Sequence, residues 1–121
     1  MQYGLMIYES AQDYAKRKDP KQVQAYWGAW GAYSKAIHEA GIFVGGAGLE
    51  APEMGTTLRL RGGKRQVQDG PIADSKEQFG GIFLIEVPNL DAALDWAARA
   101  PISAEGAVEV RPVLPPPPPK A

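Results

Sequence analysis

The segment GIFLIEV, from Gly81 to Val87, is nearly continuous in apolar residues over the length of one strand. Alternating apolar and polar positions are typical of a strand with one wet face, whereas a continuous apolar run is typical of a strand buried on both faces. We therefore predict that this segment is a central strand. The remainder of the chain is expected to supply its neighbours and a covering layer of helices.

Further strands are predicted on both sides of this central segment. Gln2–Tyr8 has strand composition, and Ile42–Glu50 begins with β-branched and aromatic residues before a group of glycines. The segments TTLRLR and KRQVQ flank Gly62-Gly63, a dipeptide suited to a two-residue hairpin because glycine adopts positive φ at low cost. The alternating segment GAVEVRPV, Gly106–Val113, is predicted to be the last strand.

Two helices are predicted between these strands. The first follows Asp19-Pro20, an N-cap residue and a proline at the first helical position, and stops at Gly41. The second has Asn89 as its N-cap and ends at Pro101. The apolar stripe of the first helix consists of Val23, Trp27, Trp30, Tyr33 and Ile37.

The predicted order is strand, helix, strand, hairpin, strand, helix, strand, which is a ferredoxin-like α+β plan with an inserted hairpin. Residues 1–113 form this single domain, and residues 114–121 are expected to be a disordered, proline-rich tail. Two helices on one face of the sheet leave its other face uncovered. A homodimer in which two sheets pack face to face would bury that face.

Composition and net charge limit the classes of binding partner that we expect. Thirteen basic and fourteen acidic residues give a net charge of −1, which provides no attraction for nucleic acid or an anionic membrane. The chain has no cysteine and one histidine, so we expect no metal site and no bound cofactor. Its first residues, MQYGLMIYES, have neither a basic segment nor a long apolar run, and a cytoplasmic location is expected.

The loop VQDGPIADSKEQFGG holds the main candidate site residues. Asp69 leaves a predicted strand, and Gly70 and Pro71 fix the path that follows. A carboxylate held by such a turn suits general acid–base or ligand-orienting work, although accepting hydrogen bonds from its own turn would also explain it. Lys76 could pair with Asp69 or hold an anionic ligand, and a solvated lysine is the alternative. Asp74 to Glu77 is predicted to be one capped helical turn.

Tyr8, Trp27 and Trp30 could line a pocket above the sheet. Tyr8 and Trp30 are candidate ligand contacts together with Gly70 and Pro71, and the alternative for an aromatic stripe is a core position. His38 and Tyr8 are candidate proton carriers, and the alternative for His38 is a solvated helix position.

These elements, set beside DGPIADSKEQFGG, LDAALDWAARAP and VEVRPV, resemble the YCII-related family in its DGPF-type branch. The resemblance covers nearly the whole chain except the proline tail. It implies a bacterial, cytoplasmic, ferredoxin-like dimeric α/β barrel, mostly of unknown activity. Some DGPF-type proteins are linked by gene neighbourhood to extracytoplasmic-function sigma factors.

Two departures from the family pattern bear on chemistry. Ile72 stands where the DGPF motif has phenylalanine. The YCII branch also has a proposed catalytic histidine and aspartate, and the corresponding positions here fall near Trp30 and at Ala100. Two functions therefore stay open. One is a homodimeric small-molecule-binding or accessory protein, linked to sigma-factor or stress regulation. The other is a small-molecule enzyme that uses Asp69 as general acid or base.

Overall fold

A computed structural model describes residues 1–117, an α+β arrangement of one four-stranded sheet, one separate hairpin and three α-helices. Leu114 to Pro117 have neither helix nor strand, and the remainder of the predicted tail lies outside the described residues. Short 3-10 turns occupy Lys16–Lys18 and Pro52–Met54. The elements are β1 (Gln2–Ser10), α1 (Ala11–Ala15), α2 (Val23–Glu39), β2 (Phe43–Gly48), β3 (Thr56–Arg61), β4 (Lys64–Asp69), β5 (Glu77–Glu86), α3 (Leu90–Ala97) and β6 (Ala107–Pro112).

The main sheet has the strand order β2-β5-β1-β6, and every neighbouring pair is antiparallel. The predicted central strand is confirmed, because β5 pairs with β1 on one side and with β2 on the other. α2 connects β1 to β2, and α3 connects β5 to β6, so each helix links two strands separated by a third. This connection pattern is compatible with a ferredoxin-like fold.

The hairpin forms as predicted but does not join the main sheet. Arg61 pairs with Lys64 across the turn, and Gly62 and Gly63 have φ values of 57° and 76°. Two consecutive positive φ angles are what a two-residue turn of this twist requires. One side of the hairpin is apolar and open, since Leu58 and Leu60 are 51% and 69% exposed.

Asp19 does not cap the first long helix, which begins at Val23. Its carboxylate instead accepts hydrogen bonds from the Lys21 amide at 2.9 Å and the Gln22 side chain at 2.6 Å, which closes a turn before the helix. The predicted cap of α3 is confirmed, because Asn89 Oδ1 accepts from the Ala92 amide at 2.9 Å.

The helical turn predicted from Asp74 to Glu77 is wrong. Residues 74–76 are irregular, and Glu77 already belongs to β5. Side chains instead donate hydrogen bonds to backbone carbonyl groups of this loop. Ser75 Oγ donates to Glu77 O at 2.7 Å, and Gln78 Nε2 donates to Ala73 O at 2.7 Å. The local hydrogen bonds of a loop thus replaced the capping pattern suggested by the sequence.

The core lies between the helices and one face of the sheet. Leu5, Ile37 and Ile85 are completely buried there. A hydrogen bond from Tyr33 Oη to Trp96 O, 2.7 Å long, joins α2 to α3. The buried positions of α2 are Tyr26, Tyr33 and Ile37. Trp27, placed by its spacing on the apolar stripe, is 47% exposed.

Among the described residues, the helices pack against the face of the sheet that carries Tyr3, Leu5 and Ile7, and no helix covers the opposite face. A Cβ on Gly4 would lie 3.5 Å from Ile82 Cδ1 and 3.7 Å from Leu84 Cδ2, so these residues share that face. The Tyr8 and Phe79 rings also meet there, with centroids 5.6 Å apart. We call Met6, Tyr8, Phe79, Ile82 and Leu84 the uncovered face.

Candidate functional site

A cavity of about 380 Å³ lies between α2 and the strands β1, β2 and β5. This volume falls within the range of small-molecule sites, roughly 300 to 1,000 Å³. The lining is mainly apolar, and charged side chains occur at only one part of it. The sequence-based expectation of a pocket between the sheet and the first long helix thus has a physical counterpart.

One wall of the cavity is almost free of side chains, because four glycines, Gly46, Gly48, Gly80 and Gly81, contribute to it. Close strand contacts require two of them. A Cβ on Gly46 would lie 2.5 Å from Ile82 O, and one on Gly81 would lie 3.0 Å from Ala47 O. The close approach of β2 to β5 therefore excludes side chains at these positions and leaves a wall made of backbone.

Aromatic side chains of α2 and β5 also line the cavity. Trp30 stacks on Phe83 with centroids 6.5 Å apart and 16° between the planes. Tyr26 meets Trp27 edge to face at 4.9 Å. The cavity is thus bordered by aromatic rings and by the glycine backbone of β2 and β5.

The charged part of the cavity consists of Glu9, Arg17 and Tyr26, here called the polar end. Tyr26 Oη donates to Glu9 Oε1 at 2.6 Å and accepts from Arg17 Nε at 3.2 Å. Arg17 Nη2 lies 3.9 Å from the same carboxylate oxygen. The phenol therefore bridges the two charges, and the three groups form one hydrogen-bonded unit.

Glu9 is the most deeply placed of these groups, with only 3% of its surface exposed. Burial raises the pKa of its carboxyl above the ordinary value, and the Tyr26 hydrogen bond and the Arg17 charge offset only part of this effect. Within residues 1–117, both protein contacts of the carboxylate fall on Oε1, and Oε2 has no hydrogen-bond partner. Because no fully buried side-chain oxygen among these residues lacks a partner, Oε2 must retain access to the cavity.

Arg17 is fixed by both hydrogen bonds and rings. Its Nη1 donates to Leu49 O at 2.7 Å, and its guanidinium carbon lies 4.8 Å from the ring centroids of both Tyr14 and Trp27. Cation–π contacts of this kind favour a charged guanidinium where water is partly excluded. Nη2 has no hydrogen bond within the described part of the chain, so a donor of Arg17 is left for a ligand.

A second polar network holds α1, from which Arg17 follows. Asp13 Oδ2 accepts from Ser103 Oγ at 2.6 Å and from Ser10 Oγ at 3.1 Å, while Lys16 Nζ lies 3.1 Å from Oδ1. Burial alone would raise the pKa of Asp13, but these hydrogen bonds outweigh it and hold the pKa below its ordinary value. All of these hydrogen-bond partners are groups of the protein itself, so we assign this network the role of positioning α1.

His38 lies at another part of the cavity lining. Its ring stacks on Phe43 with centroids 3.9 Å apart, and its Nδ1 lies 2.8 Å from Ser34 O. Since a carbonyl only accepts, Nδ1 is the donor in this contact.

The residues predicted from the sequence are distributed over three places. Trp30 and His38 line the cavity, and their predicted roles stay predictions. Tyr8 belongs to the uncovered face, where its hydroxyl donates to Glu109 at 3.3 Å. Asp69 and Lys76 are exposed, and no ion pair joins them among residues 1–117. The cavity lining does not include these two residues, Gly70 or Pro71, and their predicted roles stay predictions.

The polar end, Glu9, Arg17 and Tyr26, was not predicted from the sequence. Glu9 follows Leu5 and Ile7 at alternate positions of β1, so it faces the same side as two buried apolar residues. A carboxylate in phase with the core of a strand is a signal of a functional group, and it was present in the sequence. No comparable signal identified Arg17, because α1 and the 3-10 turn were not predicted.

The residues that the structure describes contain no cluster of three or more His, Asp and Glu side chains able to hold a metal ion. They also include no helix long and apolar enough to cross a membrane. The cavity lining itself presents a carboxylate, a guanidinium, an imidazole and aromatic surface.

Comparison with known proteins gives one family. The family model of the YCII-related domain matches residues 1–116. An uncharacterized protein of Rhizobium meliloti (strain 1021) is 38% identical over 84 residues, which cover 68% of this chain and 68% of that protein. Neither match carries a described activity.

Proposed function

The chain belongs to the YCII-related family, and from that premise we propose that it binds a small molecule in the cavity between the main sheet and α2. The observation that supports this most directly is Glu9 Oε2. Glu9 is only 3% exposed, and its Oε2, which opens to the mainly apolar cavity, has no hydrogen-bond partner among residues 1–117. A bound ligand would provide that partner.

The working unit is proposed to be a homodimer in which two uncovered faces pack together as a dimeric α/β barrel. Phe79 is 38% exposed, and half-buried Met6, Ile82 and Leu84 continue the same apolar surface. Contiguous apolar surface of this kind on a small sheet favours a partner. The cavity opens on the opposite side of the sheet, so dimerisation leaves it accessible.

An accessory role in a sigma-factor or stress system, in a bacterial cytoplasm, fits this proposal because a ligand that occupies the cavity could act as the signal. The alternative function is a small-molecule enzyme. Glu9 favours it, since its raised pKa and open oxygen suit proton transfer better than the exposed Asp69, which lies outside the cavity.

A thermal-shift screen of a metabolite library against wild type, Glu9→Gln and Asp69→Asn tests the proposal. A ligand at 100 times its dissociation constant stabilises the folded state by about 2.7 kcal/mol. We expect compounds whose stabilisation survives in Asp69→Asn and is reduced in Glu9→Gln. A library with no stabilising compound would contradict the proposal, and loss confined to Asp69→Asn would move the site to the loop after β4.

A further inference from the structure

The polar end of the cavity offers two different hydrogen-bonding groups side by side. Glu9 Oε2 accepts, and Arg17 Nη2 donates, and the Glu9 carboxylate and Nη2 are within 3.9 Å of one another. Both groups lack a hydrogen-bond partner among the described residues. A ligand that satisfies both must therefore present a donor and an acceptor close together.

Charge restricts the ligand further. The carboxylate of Glu9 and the guanidinium of Arg17 already offset one another, and Asp13 nearby is paired with Lys16. An anionic ligand group on Arg17 would lie beside the Glu9 carboxylate, and a cationic group on Glu9 would lie beside Arg17. Like charges at such distances in a poorly solvated site are unfavourable. The polar edge of the ligand is therefore expected to carry no net charge.

The walls of the cavity indicate the shape of the rest of the ligand. Four glycines of β2 and β5 provide a backbone surface, and Trp27 and Trp30 of α2 provide aromatic surface from the helix side of the cavity. A planar ring can contact both surfaces at once, and base-like rings gain from stacking on aromatic side chains.

We propose that the cavity binds a planar aromatic heterocycle with a neutral cis-amide edge, in which the N–H donates to Glu9 Oε2 and the adjacent carbonyl accepts from Arg17 Nη2. This inference rests on the proposed function and adds the chemical class of the ligand. Lactam rings such as 2-quinolone have this edge. The same ring with a methyl group on nitrogen keeps the shape and the carbonyl but loses the donor.

Matched probes test the assignment by NMR. The chain has three tryptophans, of which Trp27 and Trp30 line the cavity while Trp96 lies on α3 under Arg99. Titration with 2-quinolone is expected to shift the indole signals of Trp27 and Trp30 saturably and to leave Trp96 unchanged. N-methyl-2-quinolone is expected to bind at least tenfold more weakly, since a buried acceptor left unpaired costs about 1–3 kcal/mol.

The Glu9→Gln variant provides the second arm. Its side-chain oxygen can still accept from Tyr26, which then places an amide donor toward the ligand N–H. We expect tenfold or greater weakening of 2-quinolone binding and little change for the N-methyl compound. Unchanged far-UV circular dichroism serves as the folding control, and Tyr26→Phe, which keeps the carboxylate, is expected to retain preference for the N–H compound.

Three results would overturn the inference. These are equal binding of the two quinolones, tighter binding of the anion quinoline-2-carboxylate, or no saturable shift of Trp27 and Trp30 with 2-quinolone at millimolar concentration. If library compounds still bind in a Glu9-dependent manner, only the ligand class fails. If none binds, the proposed function fails as well.

Discussion

The space beside Gly31 allows a direct test of the cavity. Gly31 lies inside α2 and lines the cavity, and a Cβ built there would meet no atom within 4 Å. Gly28 lies in the same helix with equally open surroundings, but it is outside the cavity lining. The two glycines therefore form a matched pair that differs in what a longer side chain would contact.

Alanine at either position is expected to stabilise the protein by a similar amount. Glycine in a helix interior costs about 0.5–1 kcal/mol relative to alanine. An entropy of unfolding near 2.1 cal/mol/K per residue gives roughly 0.25 kcal/mol/K for a chain of this size, so each variant should gain about 2–4 °C in Tm.

Leucine is expected to separate the two positions. At residue 31 the side chain can pack on the apolar walls, whereas at residue 28 it stays in solvent. Partial burial of a leucine should make Gly31→Leu more stable than Gly28→Leu by on the order of 1 kcal/mol. Urea unfolding followed by circular dichroism gives both values. Equal stability of the two leucine variants, or a loss of stability in Gly31→Ala, would refute an open apolar cavity at this place.

Three further predictions follow from the fold and its charges. Replacing Ile82 on the uncovered face by glutamate should convert the proposed dimer into a monomer in light scattering, and a wild-type monomer at micromolar concentration would contradict that dimer. Asn89→Ala should cost about 1 kcal/mol in urea unfolding through loss of the α3 cap, and a cost near zero would show that the cap is dispensable. The lowered pKa of Asp13 contributes stability that is present above the ordinary pKa of 3.8 and is lost as the pH falls through the lower pKa of the folded state. Ser103→Ala removes one of the hydrogen bonds that lower this pKa, so it should weaken the dependence of unfolding on acid pH. An unchanged pH profile would exclude this network as the source of that dependence.

Much of the architecture was predictable because local rules and packing agreed. The apolar run in β5, the Gly62-Gly63 turn and the Asn89 cap each had one structural solution. Asp19 failed as a cap because a carboxylate can satisfy a turn as readily as a helix, and only the folded chain decides between them.

The site was harder to predict than the fold. Trp30 was a candidate pocket residue from helix periodicity and lines the cavity, whereas periodicity gave no such indication for His38, which lines it as well. The polar end unites residues from β1, the turn after α1 and α2, and Arg17 reaches Leu49 across 32 positions of sequence. Such contacts depend on tertiary packing, which a pattern of residue types along one element does not contain. The loop around Asp69 was a candidate because of its composition, its Asp-Gly-Pro turn and its resemblance to the family motif, none of which decides whether the loop borders a cavity.

The central claim for this protein is that the cavity is a ligand site. The most direct measurement is an NMR titration of wild type, Gly28→Leu and Gly31→Leu with stabilising compounds from the metabolite screen, following the three indole signals. Shifts of Trp27 and Trp30 that persist in Gly28→Leu and disappear in Gly31→Leu are predicted. Equal binding by all three proteins, or shifts confined to Trp96, would contradict the claim.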